Sequence, residues 1–177
     1  FCNLETKDYV ESNLNKEFDL NHFIKYPKEY NSCALQYLKA ANVFISAHYW
    51  DPASPKIFKK NDLDKMKNLK VIGDITCDVD GSVPTTIRSS TIDNPNFYID
   101  KKTFKETVDE GLAIMAVDNL PSELPRDSSK EFGDGIVREV IPYILNEDDG
   151  RILNATITLN GSFLEKYNYL NDYIKSA

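Results

Sequence analysis

Several features that would settle the class of this chain at a glance are missing. Its 177 residues include seven glycines, none of them in a G-x-G-x-x-G run. The loop by which a strand-to-helix turn cradles a pyrophosphate is therefore not in this stretch. The three cysteines, Cys2, Cys33 and Cys77, are odd in number and widely spaced. They make neither a disulfide framework nor a zinc pattern, and they fit a reducing cytoplasm with each thiol buried or half-buried. The longest apolar run, Ala40 to Ala47, is strand-sized and far short of the roughly 20 residues of a membrane helix. No charged-then-apolar leader is legible at the start, so nothing reads as a signal peptide. Positive charge is also scarce, with 21 Lys and Arg against 28 Asp and Glu and a net charge of −7. The bases stand singly among acids, as a solvated face does, and this excludes a nucleic-acid binder that works by clustered phosphate neutralisation.

The composition that is present, 41% hydrophobic and 28% charged, is that of an ordinary globular chain, long enough for one domain or parts of two. The opening Phe1-Cys2-Asn3-Leu4 reads like the end of a strand, so a chain that starts mid-domain is expected. Residues 1–33 are polar and rich in Tyr and Asn; Phe18, Phe23, Ile24 and Tyr30 can dock them, and His22 reads as exposed. Asn31 to Ala41 is expected to be helical, with Ser32 as its cap. Val43 to Ala47 reads as a buried parallel strand, because strands covered on both faces lose polar alternation. A short helix is expected at Asn61 to Lys67, capped by Asn61. A second such strand follows at Leu69 to Ile75 and a third at Leu112 to Val117. Residues 78–110 look irregular but carry docking positions such as Ile87, Ile92 and Phe97. An amphipathic helix is expected from Pro125 to Leu145, kinked at Pro142. After it come an alternating strand from Ile152 to Leu159, a tight turn at Asn160-Gly161 and a closing helix from Phe163 to Ile174. This order is the second half of a Rossmann-type doubly wound parallel α/β sheet.

Ligands bind at the carboxyl ends of the strands in open α/β sheets, which selects the loops 47–55, 73–82 and 117–127. Asp74, Asp78 and Asp80 lie in the second. They serve either as a solvated loop closed by an Asx turn or as carboxylates that orient a substrate ammonium or a nicotinamide ribose. Three close carboxylates could also hold a metal, but no His or Glu accompanies them. His48 reads as a base or as a packed side chain. Asp118-Asn119-Leu120-Pro121 through Pro125 forms a rigid strand-to-helix turn whose free N–H groups favour anionic groups such as a substrate carboxylate.

Three segments carry a resemblance: 41–50 (Ala-Asn-Val-Phe-Ile-Ser-Ala-His-Tyr-Trp), 71–82 (Val-Ile-Gly-Asp-Ile-Thr-Cys-Asp-Val-Asp-Gly-Ser) and 115–126, with its Asp-Asn-Leu-Pro and Leu-Pro-Arg. In order and spacing, the chain resembles the family of alanine dehydrogenase, lysine–2-oxoglutarate reductase and lysine-forming saccharopine dehydrogenase. Asp-Asn-Leu-Pro is closer to the saccharopine enzymes, and His48 and Trp50 depart from the alanine dehydrogenase pattern. The resemblance implies that residues 1–77 are the second half of a dinucleotide-binding Rossmann domain and that 78–177 contribute to the catalytic domain. It implies NAD or NADP as cofactor, an amino-acid or 2-oxo-acid substrate, and a partner in the upstream part of the same enzyme, which holds the Gly-rich loop and the acid–base Lys and His. A homo-oligomer fits as well. Ala47, His48, Tyr49, Asp78 and Leu120 would border the cofactor, with Asp78, Asp118 and Asn119 at the reacting centre. The implied reaction is hydride transfer at an amino-acid C–N bond, and this chain alone is expected to lack dehydrogenase activity. An alanine dehydrogenase-like enzyme and a non-catalytic, partner-binding α/β fragment are the alternatives.

Overall fold

A computed structural model describes residues 1–175, which divide into two compact units between Glu123 and Leu124. In the first unit, α1 (Thr6–Tyr9) runs into β1 (Val10–Ser12). Then α2 (Leu20–Lys25) starts at Asp19, whose carboxylate accepts the His22 N–H at 2.7 Å. Next, β2 (Tyr30–Ser32) pairs antiparallel with β1, and α3 (Leu35–Leu38) follows. Beyond these lie β3 (Val43–Ser46), β4 (Val71–Asp74), β5 (Asn96–Ile99), β6 (Glu106–Thr107) and β7 (Leu112–Met115). They form one sheet in the order β3-β4-β7-β5-β6. The strands β3, β4 and β7 are parallel, whereas β5 is antiparallel to β7 and β6 to β5. The sheet is thus mixed α/β and Rossmann-like, as expected, and its strands come from both sides of residue 77.

Alternation along the strands assigns the two faces. Register places Phe44, Ile72, Ile114 and Phe97 side by side, with Asp74, Leu112 and Ile99 on the same face. That face meets Leu38, Ile57, Phe58, Leu63, Met66 and Leu69, and together they make the buried core. The other face carries Val43, Ile45, Val71, Ala113, Met115 and Tyr98, and there Val43 is 56% and Ile45 63% exposed. The expected buried strand at 43–47 is therefore a parallel edge strand with one open face. An apolar run records what both faces can bury and says nothing of whether the second face is covered.

Other expectations change for local reasons. Phe1 to Leu4 belong to no strand. The helix expected from Asn31 begins only at Leu35, because residues 30–32 pair with β1; Ser32 Oγ donates to the Ile57 carbonyl at 2.5 Å and accepts the Ala34 N–H at 3.3 Å. The helix at 61–67 is a 3-10 helix, Lys60–Lys65, and its start is held by Asp62 accepting from the Lys59 N–H at 3.1 Å, not by Asn61. His22 is half-buried, with Nδ1 3.0 Å from the Tyr30 hydroxyl. Strands β5 and β6 lie within the stretch expected to be irregular. Gly111, at φ +115°, opens β7 so close to the Ile99 carbonyl that an added Cβ would stand 2.5 Å from it.

The second unit contains α4 (Pro125–Glu139), α5 (Ile141–Leu145), α6 (Arg151–Ala155), β8 (Thr158–Leu159), β9 (Ser162–Phe163) and α7 (Asn171–Lys175). Pro125 is the first helical residue of α4, as expected. The break between α4 and α5 reflects Pro142, which lacks the N–H to continue the helix. Where a strand was expected from Ile152, the Asp148 carboxylate accepts the N–H groups of Ile152 (3.0 Å) and Leu153 (2.9 Å) and starts α6 instead. Asn160 (φ +51°) and Gly161 (φ +81°) make the tight turn between β8 and β9. The closing helix is in fact β9, a 3-10 helix over Glu165–Leu170 and α7. None of the described residues from 124 to 174 is fully buried.

The one-faced sheet makes a quantitative contrast. Ile114→Ala, at a fully buried position, is expected to cost about 2–5 kcal/mol. Val43→Ala on the open face is expected to change stability by no more than about 0.5 kcal/mol. Urea unfolding of both variants checks this; equal losses would mean that the open face is covered.

Candidate active site

Three parallel strands that share a register end together. Ser46 is level with Asp74, and Gly73 with Met115, so the chain leaves β3, β4 and β7 at one edge of the sheet. A parallel bridge from Ser90 to Val117 extends the third exit, reinforced by the Ala116 N–H on Ser90 Oγ at 3.0 Å. The Ile75 N–H donates to the Ser46 carbonyl at 2.8 Å, which ties the first exit to the second.

The residue that organises this edge is Asp74. It is fully buried, and its carboxylate accepts the hydroxyls of Thr76 and Thr86, each at 2.5 Å. Burying an ionised carboxylate is costly unless its oxygens are satisfied, and the two threonines do this while pulling residues 81–86 under the edge. All six of those residues are buried. Between them and Asp74 the loop is strained, since Cys77 (φ +49°) and Asp80 (φ +56°) both adopt left-handed backbone, at roughly 1–3 kcal/mol each. Gly81 closes the turn by donating its N–H to the Asp78 carbonyl at 2.9 Å, and a Cβ there would stand 2.5 Å from Asp78 Cβ. Asp78 is thus presented outward, exposed, on a backbone with little freedom.

Electrostatics relate the carboxylates to one another. Burial pushes the Cys77 thiol up, and the charges of Asp78, Asp74 and Asp118 push it further. These carboxylates, from two of the three exits, therefore act on one thiol. Asp118 and Asn119 are exposed and Leu120 half-buried, and the turn after them is closed by the Ser122 N–H on the Asn119 carbonyl at 3.0 Å. From β3, Ala47 and Tyr49 are exposed and His48 is half-buried. Ser46 Oγ lies 3.2 Å from His48 Nδ1, while Nε2 is buried without a partner. Among the described residues, the buried hydroxyls Ser82 Oγ and Thr85 Oγ1 are also without partners.

His48 and Tyr49, with Trp50, line a cavity of about 350 Å³ closed by Tyr9, Val10 and Phe23 from the first strand and helices. Asp78, Asp118, Asn119 and Leu120 are not among its walls. Among the described residues no group of three or more His, Cys, Asp or Glu side chains is gathered to hold a metal ion. No helix of the described residues is long and apolar enough to cross a membrane. The sequence reading took Asp74 as an Asx turn or a ligand-facing carboxylate, and the Thr76 N–H on its carboxylate at 3.2 Å is such a turn; it did not place Asp74 in the core and missed Ser82, Thr85 and Thr86. The signal for Asp74 was period-2 spacing from Ile72, which turns its side chain to the core face.

His48 carries a pH dependence. Burial holds its imidazole below the ordinary value of 6.5, partly opposed by the Asp74 charge. As pH falls through 6.5 the unfolded chain binds a proton that the folded chain does not, so stability drops from there downward. His48→Gln keeps a hydrogen-bonding group and removes the titration. Its melting temperature is expected to fall less than that of the unaltered chain between about pH 7 and pH 5. Identical slopes would mean that His48 is not buried as a neutral ring.

Over 188 residues, covering 99% of this chain and 18% of the relative, the chain is 28% identical to alpha-aminoadipic semialdehyde synthase of Arabidopsis thaliana. It is 23% identical to the mitochondrial alpha-aminoadipic semialdehyde synthase of Mus musculus, over 86% of the chain and 20% of the relative. It is 26% identical to saccharopine dehydrogenase [NAD(+), L-lysine-forming] of Yarrowia lipolytica, over 60% of the chain and 28% of the relative. The chain thus spans about a fifth of the length of the first two relatives. The family model described as the alanine dehydrogenase/PNT C-terminal domain matches residues 2–166. With its three parallel strand ends at one acidic edge, the chain belongs to the alanine dehydrogenase/PNT C-terminal domain family.

Proposed function

We propose that the chain is part of an NAD(P)-dependent oxidoreductase that acts on amino-acid C–N bonds, of the lysine-forming saccharopine dehydrogenase or lysine–2-oxoglutarate reductase type. The observation that carries this reading is the convergence of the 46–49, 75–82 and 117–120 exits on one sheet edge, with Asp78 and Asp118 exposed there. The names of the relatives support the amino-acid chemistry, and the saccharopine dehydrogenase name supports NAD.

The edge fits the nicotinamide-ribose end of such a cofactor. It offers the exposed carboxylates of Asp78 and Asp118 to ribose hydroxyls or to a cationic nitrogen. It does not fit a pyrophosphate, for which this chain has no Gly-rich turn. When bound, the dinucleotide supplies the hydride. The chain's own residues do the placing. Ala47, His48 and Tyr49 border the ring and Leu120 packs beside it. Asp78 and Asp118 hold the substrate nitrogen or the ribose, and Asn119 offers an amide to a substrate oxygen. In this reading residues 1–77 complete a dinucleotide domain and 78–177 belong to the catalytic domain, both joined by upstream segments of the same enzyme. The compartment is one that keeps the three thiols reduced, the cytoplasm in the simplest case.

The test uses the longer enzyme that contains this chain. NAD(P)H oxidation is expected with lysine plus 2-oxoglutarate and not with pyruvate plus ammonia. Asp78→Ala is expected to lower kcat by about 100-fold or more, with a melting temperature within about 2 °C of the parent, because an exposed loop carboxylate adds little to the core. Activity with pyruvate and ammonia would assign an alanine dehydrogenase instead. A variant that loses stability but keeps its turnover would make Asp78 structural.

A further inference from the structure

We infer that the cavity walled by Lys60, Lys101, Lys102 and Phe104, at the end of the sheet opposite the strand exits, is a binding site for a phosphate group. It stands apart from the oxidoreductase reading, because no residue of the 46–49, 75–82 and 117–120 exits lines it.

Register fixes the place. Strand β5 runs antiparallel to β7, and its last residue, Ile99, is level with Leu112, the first of β7. The turn that follows β5 therefore lies where β7 begins, beside the 3-10 helix Lys60–Lys65. These two segments enclose about 340 Å³, lined by Lys60, Asn61, Asp64, Lys101, Lys102 and Phe104. That volume is in the range of small-molecule sites.

Charge singles the cavity out. The chain carries 21 bases against 28 acids, yet here three lysines stand with one carboxylate, Asp64. Among the described residues, none of the three lysines forms an ion pair. Neighbouring carboxylates are engaged elsewhere. Asp62 accepts from Lys65 Nζ at 2.8 Å and from the Lys59 N–H at 3.1 Å. Asp100 Oδ1 accepts the N–H groups of Lys102 (3.0 Å) and Thr103 (2.6 Å). Lys101 is half-buried, and its Nζ donates to the carbonyls of Met66, at 2.9 Å, and Leu69. Those neutral partners hold the ammonium in place and leave its charge uncompensated. Burial accordingly pushes the Lys101 ammonium below its ordinary value. Lys60 Nζ stands 4.5 Å from the centre of the Phe104 ring, a contact that positions the charge without neutralising it. Phe104 is itself fixed, since its backbone is left-handed (φ +59°) and its N–H donates to the Asp100 carbonyl at 2.9 Å. A cation entering here would meet three like charges, and a carboxylate would bring one negative charge to three positive ones. A phosphate group brings up to two charges and several acceptor oxygens, which lysine ammonium groups meet by charge-assisted hydrogen bonds. The Asn61 amide adds a neutral donor.

Free inorganic phosphate and a phosphate monoester share this chemistry. The test is hydrogen–deuterium exchange on the longer enzyme that contains this chain, with NADH saturating, in phosphate-free buffer at fixed ionic strength. Phosphate, glucose 6-phosphate and glucose are titrated separately. Saturable slowing at residues 60–64 and 101–104 is expected with phosphate, with glucose 6-phosphate or with both, and is absent with glucose. Slowing by both makes the phosphate group sufficient, by the ester alone assigns a monoester, and by phosphate alone assigns the free ion. Lys60→Gln combined with Lys102→Gln removes two exposed charges and leaves the Lys101 contacts intact. It is expected to raise the half-saturating concentration at least about tenfold, with a melting temperature within about 2 °C of the parent. Lys59→Gln, exposed and outside the lining, is expected to leave that concentration unchanged. The inference is overturned if neither phosphate nor its ester slows these residues, if glucose slows them equally, if the double variant keeps full affinity, or if Lys59→Gln weakens binding as much as the double variant.

Discussion

The common direction of β3, β4 and β7 is the constraint on which the rest of this molecule depends. Parallel pairing fixes where each strand ends as firmly as where it begins, and here Ser46, Asp74 and the residue after Met115 stand in one row. Whatever follows those positions must leave at the same edge. Polar residues scattered over some seventy positions are thus brought together by backbone hydrogen bonds alone. The antiparallel β5 and β6 extend the sheet beyond β7, and because Asn96 pairs with Met115 the segment that enters β5 comes from that same edge.

Asp74 converts this placement into a rigid site. A buried carboxylate with unsatisfied oxygens would be strongly destabilising, and Thr76 and Thr86 remove that penalty only if the loop between them follows one path. The left-handed Cys77 and Asp80 and the tight Gly81 are the local consequence. Asp78 is held through its backbone, whose carbonyl accepts the Gly81 N–H, while its side chain is exposed, which suits a group that must meet a ligand. On the sheet's open face Val43 and Ile45 are exposed, and none of the described residues from 124 to 174 is fully buried.

Much of this was legible in the sequence. The three apolar runs marked the three parallel strands, and the polar residues after them marked the edge. Asn160-Gly161 marked its turn and Pro142 its break. What was not legible depended on distant partners. Val43 and Ile45 look like core because composition cannot show which face lacks a cover. Residues 81–86 look like surface because Gly, Ser, Pro and Thr are loop residues, yet a buried charge twelve positions from Thr86 draws them inside. Residues Asn96–Ile99 were masked as a strand by the Pro95 before them, and Ile152 alternates as a strand does until Asp148 caps it into a helix. The cavity was invisible for the same reason: its walls come from residues some forty positions apart.

The central claim is that the carboxyl-terminal edge of the sheet is where cofactor and substrate are met. Hydrogen–deuterium exchange on the longer enzyme, with and without NAD(P)H, tests it directly. The expected result is slowed exchange at residues 47–50, 76–82 and 117–120, with residues 60–64 and 101–104, which flank the opposite ends of the strands, unchanged. Slowed exchange confined to those opposite ends, or no change at any of the three exits, would contradict it.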